Sequence, residues 1–283
     1  MSVDLSFLTV GEGPPLLILH GLFGSGGNWR GIAKALSGTH RVVSVDLRNH
    51  GASPWTDTMA YADMADDVTR LMSREGLQRA AVLGHSMGGK VAMALALLHP
   101  DLVDRLCLVD IAPVAYADRL SPFAEAMRSI DMLAAAGRAE VQQRLNTALA
   151  DTSVVPFLMQ NLVTRNDHVD WRINLAGISA AIPLLSDFPD DLRRLRYGGP
   201  VQVIAGGRSD YVTQHDGADF RPMFQRLTLD VIETAGHWVH ADAPQTFIAL
   251  VQRWLGLPGT PLAETAAAAL PTTPRGPSWD APG

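Results

Sequence analysis

The stretch Gly84-His85-Ser86-Met87-Gly88-Gly89 constrains this chain more than any other. An apolar run at residues 80–83 leads directly into it, and a helical pattern at residues 90–98 leads directly out. Ser86 with a glycine two residues to either side therefore reads as strand, sharp turn and helix, the G-x-S-x-G nucleophile elbow. Such a turn strains the serine backbone and tolerates only neighbours without bulk at Cβ. The hydroxyl then projects above a sheet edge. The Met87 N–H opens into the same space at a helix N-terminus, where developing negative charge is favoured.

The rest of the chain supplies the sheet. Residues 6–10, 15–19, 41–47, 80–83, 103–111, 199–205 and 227–232 read as strands, several of them continuous apolar runs of the kind buried on both faces. Residues 28–36, 61–74, 90–98 and 242–255 read as helices, the first capped by Asn28. This alternation predicts an α/β fold, with a mostly parallel central sheet and helices on both faces. Ligands in such sheets bind beyond the carboxyl ends of the strands. The polar motifs His20-Gly21, Arg48-Asn49-His50, Gly84-His85-Ser86, Asp110 and Asp210 all fall there.

One segment breaks the pattern. Residues 113–191 offer no strand reading, only helical patterns at 121–136, 139–150, 155–165 and 171–185. The expected organisation is a core of residues 1–112 and 192–258, with 113–191 inserted as a small helical lid over the carboxyl edge. Met127, Met132, Phe157, Met159, Trp171 and the run 182–185 are candidates for an acyl pocket, or for the lid's own core. From residue 259 Pro, Ala, Thr and Gly dominate without periodicity, which reads as a disordered tail.

Composition narrows the partners. The 283 residues are 47% hydrophobic and carry a net charge of −6, so a large core is available and no basic surface invites nucleic acid or an anionic membrane. The lone Cys107 sits in an apolar run, a buried thiol suited to a reducing compartment. The N-terminus lacks the basic and apolar regions of a signal peptide, and no apolar run reaches the ~20 residues of a membrane span. A soluble cytoplasmic protein is expected, as a monomer or small homo-oligomer acting on a small molecule.

A serine hydroxyl needs a base, and the base an orienting acid. With the order Ser, acid, His, the base belongs after the last strand, where Gly236-His237-Trp238 stands. His237 is the expected base. His20 reads as a structural hydrogen-bonding residue, His85 as pointing away from Ser86, and His240 as a neighbour of the site. His40, His99, His168 and His215 read as surface or turn positions. Two carboxylates fit the acid, Asp110 and Asp210, each ending a strand before His237. The oxyanion hole needs two N–H groups, expected from Met87 and from Leu22 in the loop after residues 15–19. No Cys/His cluster for a metal and no phosphate-binding loop is found, so no cofactor is expected.

Together these residues resemble the α/β-hydrolase superfamily, and within it the small YbfF-type esterases. The likeness is carried by His20-Gly21-Leu22-Phe23-Gly24-Ser25 with Asn28-Trp29, by Asp46 through Ser53, and by Gly84 through Lys90. It continues in Val109-Asp110-Ile111-Ala112-Pro113, Gly206-Gly207-Arg208-Ser209 with Tyr211-Val212, and Gly236 through His240, covering about residues 5–256. It implies hydrolysis of carboxylic esters or acyl thioesters through an acyl-enzyme, under a helical lid. YbfF-type esterases resemble this chain in carrying serine at the position of Ser209 and their acid at that of Asp110, so the resemblance favours Asp110; Asp210 is a departure from the pattern. Phe23, Asn49, His50 and Trp238 are the expected substrate contacts. Acyl transfer, C–C hydrolysis, perhydrolysis and a non-catalytic binding module are the alternatives on the same scaffold.

Overall fold

A computed structural model describes residues 1–165, 168–212 and 217–257; the expected tail from residue 259, like His215, lies outside them. Seven strands form one sheet: β1 (Phe7–Val10), β2 (Pro15–Leu19), β3 (Arg41–Val45), β4 (Ala80–His85), β5 (Val103–Val109), β8 (Tyr197–Gly206) and β9 (Phe224–Ile232). Their order is β1-β3-β2-β4-β5-β8-β9, antiparallel only at β1 and parallel elsewhere. The apolar runs make central strands because both faces are covered. Leu17 and Leu19 of β2 pack toward α2 (Tyr61–Arg74) and α3 (Met87–Leu98), while Leu16 and Ile18 pack toward α1 (Arg30–Leu36) and α10 (Pro244–Trp254). Cys107 is buried on the second of these faces. No helix among the described residues is long and apolar enough to cross a membrane.

The segment between β5 and β8 corrects the all-helical expectation. It holds α4 (Ser121–Arg128), α5 (Arg138–Ala148), the single turn α6 (Val155–Leu158) and α7 (Leu175–Ser186). It also holds an antiparallel hairpin of β6 (Leu162–Arg165) and β7 (His168–Trp171), with Val163 opposite Asp170 and Leu162 opposite Trp171. The pattern 155–165 is therefore helix only at its start, and 171–185 is strand at its start. Four-residue strands carry too few positions to display a period of two against a helical background. Asn28 is likewise not the cap of α1. It lies inside a 3₁₀ turn, Gly26–Trp29, and its Oδ1 accepts from the Ser25 N–H at 2.6 Å.

Four described non-glycine residues have positive φ: Phe23 (60°), Asn49 (67°), Ser86 (53°) and Asp110 (49°). Each lies just past the carboxyl end of one of the neighbouring strands β2, β3, β4 and β5. Backbone strain of this kind costs about 1–3 kcal/mol per residue, and the surrounding packing must hold it. The sheet thus concentrates its strain along the edge where ligands are expected.

Candidate active site

The elbow forms because its glycines are sterically required. A Cβ on Gly84 would stand 2.2 Å from the Gly88 carbonyl oxygen, and one on Gly88 would stand 2.3 Å from that of Leu19. Only that close approach lets β4 turn into α3 within one residue. Ser86 then takes φ 53° and ψ −122°, with its own N–H bonded to Val109 O at 3.1 Å. The N–H groups of Gly89 and Lys90 return to Ser86 O, so the helix begins at the serine. Met87 is its first residue, and its N–H has no acceptor within the helix.

The single turn α8 (Gly217–Phe220) precedes β9, and His237 lies in the loop between β9 and the short α9 (Val239–Asp242). Its Nε2 is 3.1 Å from Ser86 Oγ, and its Nδ1 is 2.7 Å from Asp110 Oδ2. The Asp110 side chain is wholly buried. Its carboxylate accepts from the Gly206 N–H at 3.0 Å and from the Ser209 hydroxyl at 2.5 Å. The same oxygen that faces His237 thus receives Ser209 as well. Asp210, the other candidate, is elsewhere. Its exposed carboxylate is gripped by Arg119 at 2.5 and 2.6 Å, and that hydrogen bond holds it below the usual carboxylate range. An imidazole oriented by a buried carboxylate and touching a strained serine hydroxyl is an arrangement able to draw off the hydroxyl proton.

A cavity of about 190 Å³ opens over Ser86. Leu22, Phe23, Phe157, His237 and Trp238 line it, and so do Leu120, Phe123, Val154 and Tyr211, which sequence reasoning missed. The Tyr211 ring stacks on His237 at 4.0 Å between centroids. Of the lid residues proposed for an acyl pocket, Phe157 faces this cavity, whereas Met127, Met159 and Trp171 are buried in the core. Helical periodicity identifies buried faces but cannot say whether a face meets the core or a cavity.

Asn49 and His50 do not line the cavity, a correction to their expected substrate contact. Both are fully buried supports. Asn49 Oδ1 accepts from the Thr56 N–H at 2.7 Å and from Asn174 Nδ2 at 3.1 Å. His50 donates from Nδ1 to Arg48 O at 2.9 Å and accepts at Nε2 from the Phe23 N–H at 3.1 Å. It therefore pins the loop that carries Leu22. His20 does the same one layer away, donating from Nδ1 to Gly21 O and accepting at Nε2 from the Leu47 N–H. Burial pulls the two imidazoles down to about 4 for His20 and about 3 for His50, so both stay neutral in these roles. Arg48, buried beside them, binds Asp67 through Nε at 2.6 Å.

His85 packs beside the base, its ring 4.7 Å from that of His237. It lines the cavity, an unexpected place for it, and its Nε2–H donates to His237 O at 2.9 Å. His240 stacks on Trp29 at 4.1 Å, and His40 is buried rather than at the surface.

Comparison with known proteins places this geometry. A family model described as alpha/beta hydrolase fold matches residues 14–244. The chain is 37% identical over 257 residues to the sn-1-specific diacylglycerol lipase ABHD11 of Xenopus laevis, covering 87% of this chain and 82% of that protein. It is 33% identical over 242 residues to the Esterase YbfF of Escherichia coli (strain K12), covering 85% and 92%. Among solved structures, a marine microorganism esterase superposes with a TM-score of 0.86 at 35% identity, covering 89% of this chain and all of that one.

Proposed function

The chain belongs to the α/β-hydrolase fold family and is a carboxylic ester hydrolase, and from that premise we propose that Ser86, His237 and Asp110 perform the hydrolysis through an acyl-enzyme. Ser86 Oγ attacks the ester carbonyl carbon while His237 Nε2 takes the hydroxyl proton. The N–H groups of Leu22 and Met87 hold the oxyanion. His237 returns the proton to the leaving alcohol, then activates a water that releases the acid. Asp110, held by Gly206 and Ser209, keeps the imidazole in the tautomer with its proton on Nδ1. Acyl thioesters fit the same steps. Residues 113–191 serve as the lid, and 1–112 with 192–258 as the core.

The observation that carries this reading is the continuous chain Ser86–His237–Asp110, at 3.1 and 2.7 Å, on a strained elbow beside an apolar cavity. The test is hydrolysis of p-nitrophenyl esters, with fluorophosphonate labelling in parallel. Wild type is expected to turn over and to label. Ser86→Ala is expected to lose kcat/KM by a factor on the order of 10⁴ or more and to lose the label. A Ser86→Ala enzyme as active as wild type would overturn the assignment.

A further inference from the structure

Ser86 lines two cavities, and they differ in size and in lining. The larger, of about 190 Å³, contains His237. The smaller, of about 30 Å³, is lined by Leu22, Ser86, Met87, Ile111 and Leu185, so it begins at the oxyanion N–H groups, and His237 is not among its lining residues. Resting on the serine-esterase reading, we propose that the small cavity takes the acyl group and the large one the leaving group, so that the substrates are esters of short apolar acids with bulky neutral alcohols.

The direction follows from where the protons go. In the tetrahedral intermediate the carbonyl carbon carries the Ser86 oxygen, the oxyanion, the acyl substituent and the leaving oxygen. The oxyanion sits on the Leu22 and Met87 N–H groups. As the carbon–oxygen bond to the alcohol breaks, the leaving oxygen takes the proton that His237 Nε2 received from Ser86, so it must lie on the His237 side. That side is the large cavity. The acyl substituent is left the direction of the small one.

Size and chemistry then set the class. A cavity of about 30 Å³ offers room for roughly two water-sized groups, enough for an acetyl or propionyl chain and too little for a long alkyl one. Its polar atoms are already committed. Lys90 Nζ donates to the carbonyls of Val114, Ser186 and Asp187 at 3.0, 3.2 and 2.9 Å. The Tyr61 hydroxyl donates to Leu185 O, and that of Tyr116 to Tyr211 O. A charged acyl group finds no free donor among these. The same bonds tie both ends of the inserted segment to α2 and α3, so the cavity does not widen without breaking them.

The leaving-group side is open instead. The large cavity shares Asn28, Phe157, Trp238 and His240 with an outer groove of about 540 Å³. Among the described residues, the groove lining includes Asp242 and no lysine or arginine. Arg119 lines the large cavity, but Asp210 grips it at 2.5 and 2.6 Å. A phosphate-bearing thiol would meet only this cation, already paired with a carboxylate, which favours a neutral alcohol over a nucleotide thioester.

The test is a two-way ester series on the whole enzyme. One arm fixes p-nitrophenol and varies the acid through acetyl, butanoyl and octanoyl. The other fixes acetate and varies the alcohol through ethanol, butanol and hexanol, whose acidities match. Expected are a fall of about tenfold or more in kcat/KM from acetyl to octanoyl, and a rise of about tenfold from ethyl to hexyl acetate. Leu185→Ala, which enlarges the small cavity, is expected to raise the butanoyl-to-acetyl ratio about fivefold or more. Octanoate preferred over acetate, or hexyl acetate no better than ethyl acetate, would overturn the proposal while leaving the esterase reading intact. No Ser86-dependent turnover of any ester would overturn both.

Discussion

At the scale of single residues, the two aspartates carry the sharpest contrast. Asp110 is buried against His237 Nδ1, and Asp210 is exposed and paired with Arg119. Asp110→Asn is expected to cut kcat/KM by a factor on the order of 10³–10⁴, because the amide can offer an N–H where His237 needs an acceptor. Asp210→Asn is expected to change it by about twofold at most, as for other exposed pairs. Equal losses in the two variants, measured side by side on p-nitrophenyl acetate, would refute this assignment of roles. The elbow and chain order single out Ser86 and His237 by local pattern, and the fold brings the two side chains within 3.1 Å. The choice between Asp110 and Asp210 was not legible from spacing, since both end strands. It turns on the Ser209 hydroxyl and Gly206 N–H reaching Asp110 from the end of the adjacent strand β8. The misreading of Asn49 and His50 has the same origin. Their motif marks a turn at the strand edge, but only the fold reveals that the turn is built to hold the Phe23 backbone.

At the scale of elements, two features anchor the edge. Gly88 lets α3 start under β2, and a Cβ there would meet backbone rather than a movable side chain. Gly88→Ala is expected to destabilise the protein by about 1–3 kcal/mol, read as a lower urea midpoint. The Arg48–Asp67 pair, with both side chains wholly inaccessible, locks the turn after β3 to α2. Asp67→Ala would strip the buried Arg48 of its two direct carboxylate bonds, leaving it Thr58 and the Asp63 carboxylate at 3.7 Å, at an expected cost of about 3 kcal/mol. Midpoints unchanged from wild type in both variants would contradict this view of the edge. Strands and helices of the sheet region were readable because each is a long apolar run or a strong period. The α2 helix starts and ends where its period does, at Tyr61 and Arg74. The β6–β7 hairpin was not, because short strands such as Leu162–Arg165 are set by pairing with each other, a cause that neither strand's own pattern displays.

At the scale of the whole molecule, the edge of the sheet is assembled around neutral imidazoles. His20 and His50 are fully buried, each donating from one ring nitrogen and accepting at the other. Their ordinary value of 6.5 is lowered by burial to about 4 and about 3. In the window between those values the unfolded chain binds protons that the folded chain refuses, so stability rises with pH there and is lost as pH falls from 6.5 toward 4. Moving from pH 7 to pH 5 is expected to cost about 2 kcal/mol for each of the two residues. Urea unfolding at the two pH values checks it, and an unchanged midpoint would contradict it.

The most direct test of the catalytic account is to trap the covalent intermediate. Wild-type enzyme mixed with p-nitrophenyl acetate, quenched during turnover and digested, should carry one acetyl group, mapped by mass spectrometry to the peptide containing Ser86. Expected are that acetyl group on Ser86 in wild type and its absence in Ser86→Ala. Turnover with no acetylated Ser86 under conditions where deacylation is slow, or acetylation at another residue that tracks activity, would contradict it.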